Sequence, residues 1–277
     1  MESLFLLTLT GLIIGFLGTL IGAGGGFVLV PLLLIFYPDL TPEVITAISM
    51  AVVCVNAISG SFAYAKSGRI DYKAGVTFAA YTIPGSIIGV LITAYISGRF
   101  FSVLFGILML FLSTYLFFKK RGEDQNIMPF QQGNRFVIRN LTDKSGINYQ
   151  YSYKELNGNL ISIIVGFISP ILGIGGGIIH VPAMVNWLKF PVHIATATSH
   201  FILAIMATVT VITHAVSGTY NDPAILKMIL ALALGVIPGA QLGAYYSHKL
   251  KSSIIVKALA FCLGLVGIRI LFQTFGH

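Results

Sequence analysis

Gly22-Ala23-Gly24-Gly25-Gly26 with Pro31 five positions on, and its echo Gly173-Ile174-Gly175-Gly176-Gly177 with Pro182 five positions on, decide how this chain is read. Each glycine run sits inside an apolar stretch, 4–36 and 159–188. As one helix, residues 4–36 would reach about 50 Å, against a hydrocarbon core of about 30 Å. Three consecutive glycines favour non-helical backbone and weaken a helix, so a break is expected there. Broken backbone at membrane depth is tolerated only where protein or a water-filled cavity surrounds it. The half-helix after the break would present free N–H groups and the positive end of its dipole, which suits an anion. Small residues also serve close helix packing. Recurrence in the same framework, each time with the proline, favours the break.

The repetition extends well beyond the glycines. Gly15-Phe16 matches Gly166-Phe167 at the same offset of 151, and Ala47-Ile48-Ser49 matches Ala197-Thr198-Ser199 at 150. Ser67-Gly68 matches Ser217-Gly218, and Ile83-Pro84-Gly85 with Gly89 matches Ile237-Pro238-Gly239 with Gly243. Ordered blocks with little offset drift indicate a duplicated unit. Further apolar segments cover 44–65, 75–97, 100–118, 194–217, 224–247 and 253–274. The expected fold is an all-α polytopic membrane protein of two related repeats. Each repeat would hold a glycine-broken first helix, forming a re-entrant pair, plus three spanning helices. Residues 1–118 would form the first repeat, 119–157 a polar linker and 158–277 the second repeat. Within the linker, Arg135-Phe136-Val137-Ile138-Arg139 and Tyr149-Gln150-Tyr151-Ser152-Tyr153 suggest two short strands around an Asp143-Lys144-Ser145-Gly146 turn.

Composition excludes a soluble globule. Charged residues are 9% and apolar residues 56%, where an average soluble domain carries about 25% charge. The net charge of +8 is no nucleic-acid footprint: seven of the 17 basic residues lie between Lys119 and Lys154, and most others end apolar runs. That is how basic residues anchor spans and set orientation in a lipid bilayer. Cys54 and Cys262 lie inside apolar runs and read as small buried hydrophobes. The first apolar run lacks a preceding Lys or Arg and belongs to the repeat, so it is not read as a removable signal peptide. No Walker A, Gly-x-Ser-x-Gly or HExxH pattern occurs, so neither an enzyme nor a cofactor is expected.

Gly-x-Gly-Gly-Gly followed by proline, repeated once and followed by Ala197-Thr198-Ser199, resembles the TauE/SafE family of sulfite-exporter-like membrane proteins. The similarity spans both halves and leaves out 119–157. It implies a secondary transporter of a small, often sulfur-containing anion (sulfite, a sulfonate or thiosulfate) in the bacterial cytoplasmic membrane. The first half carries Ile48 where the second has Thr198.

If each broken pair enters and leaves on one side, each half makes three crossings and the two halves sit inverted. With the 66–73 loop inside, fourteen of the 17 basic residues then fall inside, leaving Arg99, Lys227 and Arg269. Eight simple crossings separate the charges less well, so the positive-inside rule favours inversion. Against it, residues 4–21 alone nearly suffice to cross. No Asp or Glu lies within an apolar segment; cation sites often use buried carboxylates, so an anion is favoured.

Candidate substrate-binding residues are Gly24, Gly25, Gly26, Ser49, Asn56, Gly175, Gly176, Gly177, Thr198, Ser199 and His200. A serine hydroxyl near a helix start can donate to an oxyanion, though it can equally bond its own helix. His180 and His200 are candidates for proton coupling. The alternative is a divalent-metal permease using the second-half histidines, which lack metal-ligand spacing.

Overall fold

The computed structural model describes residues 4–118, 136–247 and 252–275. Within them lie ten helices and one hairpin: α1 Leu4–Ile21, α2 Gly26–Phe36, α3 Pro42–Ser67, α4 Tyr72–Thr93, α5 Gly98–Phe118, β1 Phe136–Thr142, β2 Asn148–Lys154, α6 Glu155–Leu172, α7 Gly177–Asn186, α8 Val192–Val216, α9 Pro223–Tyr246 and α10 Ser252–Phe275. Seven are long and apolar enough to cross a membrane: α1, α3, α4, α5, α6, α8 and α9. Large apolar side chains such as Phe5, Val76, Leu91, Leu230 and Leu234 stay exposed. In water such a surface would be a liability; on a membrane protein it meets lipid.

Helix ends follow local chemistry. Thr41 caps α3 by accepting from Val44 N–H, with Pro42 at the first helical position, where its missing donor costs nothing. Gly68 ends α3 in the left-handed region at φ 71°, a conformation glycine adopts without steric cost. Asp71 and Asp222 cap α4 and α9 by accepting from Ala74 and Ala224 N–H.

The linker strands pair antiparallel, Phe136 opposite Lys154 and Thr142 opposite Asn148. They run further toward the turn than the two runs read from sequence. Helix α6 starts at Glu155, inside the span read as linker, because β2 leads straight into it. Residues 119–135 and the Cys262 side chain lie outside the described residues. Cys54 is buried, with 8% of its surface exposed.

The packing exchanges helices between the chain's two parts. α1 lies against α9, and α4 against α6. A Cβ built on Gly15 would come within 2.5 Å of the Val236 carbonyl oxygen, and one on Gly243 within 2.5 Å of that of Phe16. Backbones approach this closely only where side chains are absent, as in small-residue seams of membrane helices. Gly11 meets Leu232, Gly15 meets Val236 and Gly243 meets Phe16, so α1 and α9 run in the same direction. α3 and α8 run in opposite directions, with Cys54 beside Thr208 and Gly60 beside His200. α5 and α10 are likewise antiparallel: Ser113 Oγ donates to Ala260 O, while Gly106 faces Leu271. Phe27, Val30, Ile45, Ile48, Val52 and Ile174 form the fully buried centre of the largest apolar cluster.

Candidate functional site

Both long apolar runs are interrupted at their glycines. Gly22, Gly24 and Gly25 have φ of 78°, 78° and 85°; Gly173 and Gly175 have 64° and 73°. These left-handed values cost other L-residues roughly 1–2 kcal/mol each, which is why the runs cannot continue as helix. The half-helices α2 and α7 start from Gly25 and Gly176, and neither receives a side-chain cap. With 11 and 10 residues, they reach about 15–16 Å, half the bilayer core.

The two breaks meet. A Cβ on Gly175 would come 2.8 Å from Ala23 O, and one on Gly177 2.8 Å from the Ala23 Cα. Gly26 in turn faces the backbone of Gly173 and Ile174. Ser49 ties the crossing together, its Oγ donating to Gly173 O at 2.6 Å.

A polar network backs the first break. Asn56 Nδ2 donates to Gly24 O at 2.8 Å, and its Oδ1 accepts from Thr19 Oγ1 at 2.7 Å. His200 Nε2 lies 3.4 Å from the same Thr19 hydroxyl. Tyr64 OH donates to Thr19 O at 2.8 Å and its ring meets His200 edge-on. The second break is walled differently. At the repeat offset of 150, Asn56 is replaced by Met206 and His200 corresponds to Met50; Met206 and Val165 pack around Gly176. Ser199, the counterpart of Ser49, is fully buried, and its Oγ has no hydrogen-bond partner among the described residues.

Broken helices in both repeats, uncapped and joined, coincide with a match of the sulfite exporter TauE/SafE family profile to residues 7–270. The chain belongs to that family. A "probable membrane transporter protein YunE" of Bacillus subtilis is 35% identical over 277 residues, covering 98% of each chain. A "probable membrane transporter protein MJ0441" of Methanocaldococcus jannaschii is 26% identical, covering 95% of this chain and 93% of its own. A "probable membrane transporter protein" of Xylella fastidiosa is 26% identical over 252 residues. No solved structure matches. The protein is thus an integral membrane protein of a membrane-transporter family, placed in the bacterial inner membrane.

Two of the residues singled out from sequence, Thr198 and His180, bond away from the glycine breaks. Thr198 accepts from the Asp71 backbone N–H at 3.0 Å, holding the start of α4. His180 follows the second break on α7, but its Nε2 faces Ser162 Oγ at 3.1 Å and its ring stacks on Phe78. Thr19, Tyr64 and Ser162 escaped sequence reading. Thr19 stood only three positions before Gly22; nothing in the pattern marked the other two.

At the end of the bundle carrying the hairpin, charges are paired out of water. Arg69 Nε bonds Asp143 Oδ2 at 3.0 Å, and Arg139 Nε bonds Asp71 Oδ2 at 2.8 Å. Tyr151 OH donates to Asp71 Oδ2 at 2.7 Å. Burial raises the Asp71 carboxyl, but bonds from Arg139, Tyr151 and Ala74 N–H outweigh it and hold the group below its ordinary range. Asp143 is likewise raised by burial and lowered further by Ile147 N–H, Arg69 and Ser145 N–H. Burial and the nearby Asp71 charge push the Tyr151 hydroxyl upward, so it stays a donor. Rings of Tyr151 and Tyr153 pack on Phe190, 4.6 and 4.8 Å between centroids.

Proposed function

We propose that the chain is a secondary transporter of a small, sulfur-containing anion of the sulfite, sulfonate or thiosulfate type. The observation carrying this is the pair of uncapped half-helix starts at Gly26 and Gly177, brought together where the two breaks meet. Each lacks a side-chain cap and carries positive dipole character, the recurring anion device of transporters built from repeats. Gly24, Gly25, Gly26, Gly175, Gly176 and Gly177 would line the path, with Ser199 and His200 presenting polar atoms to it. Asn56 and Ser49 spend hydrogen-bonding capacity on the breaks, so their role is to hold shape as much as to touch substrate. His200, joined to Thr19, is the first choice for proton coupling; His180 is the second.

The repeats are inverted in this reading. Helices at equivalent repeat positions, α3 with α8 and α5 with α10, run in opposite directions, as an axis in the membrane plane requires. Residues 1–118 and 158–277 are the two repeats. Lys66, Arg69, Lys73 and the hairpin's basic residues gather at one end of the bundle, which the positive-inside rule sets in the cytoplasm.

Saturable sulfite flux in proteoliposomes, competed by thiosulfate or a small sulfonate, tests the proposal. Correctly inserted protein that moves none of these anions would refute it. Metal permeation is the weaker reading because His180, His200 and His214 have separate neighbours: Ser162, Thr19 and Thr219.

A further inference from the structure

We propose that Ser169 is the hydroxyl that grips the anion, donating to one of its oxygens beside the start of α7 at the second break. The inference rests on the anion transport proposed above and deepens it. It gives the substrate a direct side-chain contact and makes the second break, not the first, its seat.

The face of α6 decides where Ser169 points. Ser162 Oγ lies 3.1 Å from His180 on α7, and a Cβ on Gly176 would meet Val165 Cγ1 at 2.7 Å. From 162 to 165 along α6, the contact moves back along α7 from 180 to 176, so the two helices run antiparallel. At about 100° per residue, Ser169 projects between the directions of Ser162 and Val165. One turn beyond Val165, it faces the glycines that join α6 to α7. Serine carries a single heavy atom beyond Cβ, so its hydroxyl lies where that face lies.

The hydroxyl is unspent. Ser169 is fully buried, and its Oγ has no hydrogen-bond partner among the described residues. A serine in a membrane helix ordinarily gives its hydrogen to its own helix, as Ser162 does to Gly158 O and Ser86 to Ile83 O. A buried donor without a partner calls for an explanation, and a ligand between α6 and the start of α7 supplies one. Ser199 is a second hydroxyl of this kind. It shares a face of α8 with Thr196, Leu203 and Met206, which lie beside Gly22, Gly24 and Gly176, so it looks onto the same crossing.

Comparison of the repeats separates the two breaks. Position 169 corresponds to Gly18 at the offset of 151. A Cβ on Gly18 would run into Gly25 N and come 2.6 Å from Asn56 Nδ2. In the first break that place is filled by backbone and by an amide committed to Gly24 O and Thr19. In the second, the counterpart of the amide is Met206, apolar and pliable, and a free hydroxyl stands where the glycine was. Gly176 also takes φ −58° where Gly25 takes 85°. The first break is thus closed by its own side chains, while the second keeps a hydroxyl for a ligand. α7 adds the positive end of its dipole, with no side-chain cap competing for it. A sulfur oxyanion, whose oxygens accept hydrogen bonds and carry the negative charge, fits that pairing; a cation does not. Ser169 gave no signal in the sequence because serine against glycine breaks the match between the repeats.

The test uses the full-length purified protein with sulfite as probe. Two quantities are read: the sulfite concentration that gives half-maximal thermal stabilisation, and KM with maximal flux in proteoliposomes. Ser169→Ala should need about 10-fold more sulfite in both, the loss expected of one hydrogen bond to a charged group. Without sulfite it should melt at or above the wild-type temperature, because a partnerless buried hydroxyl has gone. Ser169→Gly, which copies Gly18, weakens α6 and should melt lower, yet lose sulfite affinity by the same factor. Agreement between the two separates the hydroxyl from packing. Ser169→Thr keeps the donor and should stay within about 3-fold of wild type. Wild-type sulfite affinity in either Ser169→Ala or Ser169→Gly would overturn the proposal, whatever the melting temperatures. A wild type that neither binds nor moves sulfite would instead overturn the anion reading, and the assignment with it.

Discussion

Neighbouring glycines in the second break should respond unequally to a single methyl group. Replacing Gly177 with Ala sets the new carbon against backbone, 2.8 Å from the Ala23 Cα and closer still to the Gly22 carbonyl oxygen. Backbone cannot turn away as a side chain can. Overpacking of this kind costs about 1–3 kcal/mol, and the upper end applies here. The substitution also gains up to about 1 kcal/mol of helix propensity, since Gly177 begins α7. The net cost is about 2 kcal/mol, concentrated where the two breaks touch. Gly176→Ala instead meets Val165 Cγ1 at 2.7 Å and Met206 Cε at 3.4 Å, at an ordinary φ of −58°. Met206 can yield because its side chain is unbranched and soft; the valine asks for a small shift. Val165 is buried and stiff at χ1, so part of the strain stays and the net cost is about 1 kcal/mol, half that at Gly177. Thermal unfolding of the purified protein, read by loss of monodisperse elution, should place Gly176→Ala between wild type and Gly177→Ala, with Gly177→Ala several degrees below wild type. Sulfite flux per inserted molecule should fall in the same order. Equal stability and equal flux for the two variants would refute the close meeting of the breaks in the working protein.

Asn56→Leu keeps the branching and heavy-atom count, though its methyls are bulkier than the amide, and strips Gly24 O and Thr19 Oγ1 of their partner. Buried unsatisfied groups cost about 1–3 kcal/mol in general, and interhelical bonds in membranes average nearer about 0.6 kcal/mol; a loss near 1 kcal/mol with disproportionate loss of sulfite flux is expected. Arg139→Ala leaves the fully buried Asp71 carboxylate without its cation, at a cost of about 3–5 kcal/mol, seen as faster amide exchange across β1 and β2. The carboxyls of Asp71, at the start of α4, and Asp143, in the hairpin turn, are both held below their ordinary values, so their contribution is complete above about pH 4 and is lost as pH falls through the lower folded values. Hairpin amide protection should therefore be flat from pH 8 to 5 and drop only in stronger acid. Thr208→Cys sets a thiol beside native Cys54, whose Sγ lies 3.4 Å from the Thr208 hydroxyl. Oxidation should stop transport reversibly, whereas a disulfide between Thr8→Cys and Ala231→Cys, joining α1 to α9, should leave it running.

What the sequence revealed and what it concealed divide along physical lines. The helix breaks were legible because three glycines and a length of apolar chain are local facts. The hairpin was legible because Asp143 to Gly146 combine turn chemistry with flanking alternation. The partner of α1 was not. Gly11 and Gly15 advertise a small-residue face, but such a face does not say which helix it meets, and the answer lay some 220 residues away at Leu232 and Val236. The cluster of Thr19, Asn56, Tyr64 and His200 was hidden for the same reason: its members come from three helices whose crossing only the assembled bundle decides. The bond that Thr198 accepts from Asp71 N–H at the start of α4 was hidden too, because its Ala-Thr-Ser context says nothing of a partner in another helix.

That exchange of helices bears on how the molecule can move. If the two sequence repeats rocked as bodies, α1 would have to slide on α9, and α4 on α6. Those seams are the ones where glycine brings backbone against backbone, with Gly15, Gly85, Gly89 and Gly243 all within 2.5–2.7 Å of opposing main chain for an added carbon. Interlocked, side-chain-free contacts of that kind resist sliding, because every ångström of displacement drives carbonyls into one another. The α3–α8 crossing is different: Val53, Leu203, Ala204 and Met206 meet there through side chains, whose rotamers can adjust. A mobile interface at α3 and α8 leaves α1 with α9 on one body and α4 with α6 on the other, each drawn from both repeats. The glycine breaks then lie on the dividing surface itself, α1–α2 on one side and α6–α7 on the other. Relative movement of the two bodies has to part Ala23 from Gly175 and Gly177 from Gly22, where backbone meets backbone as closely as in the seams, so an opening at the breaks is a separation of the two bodies and not a slide of one past the other.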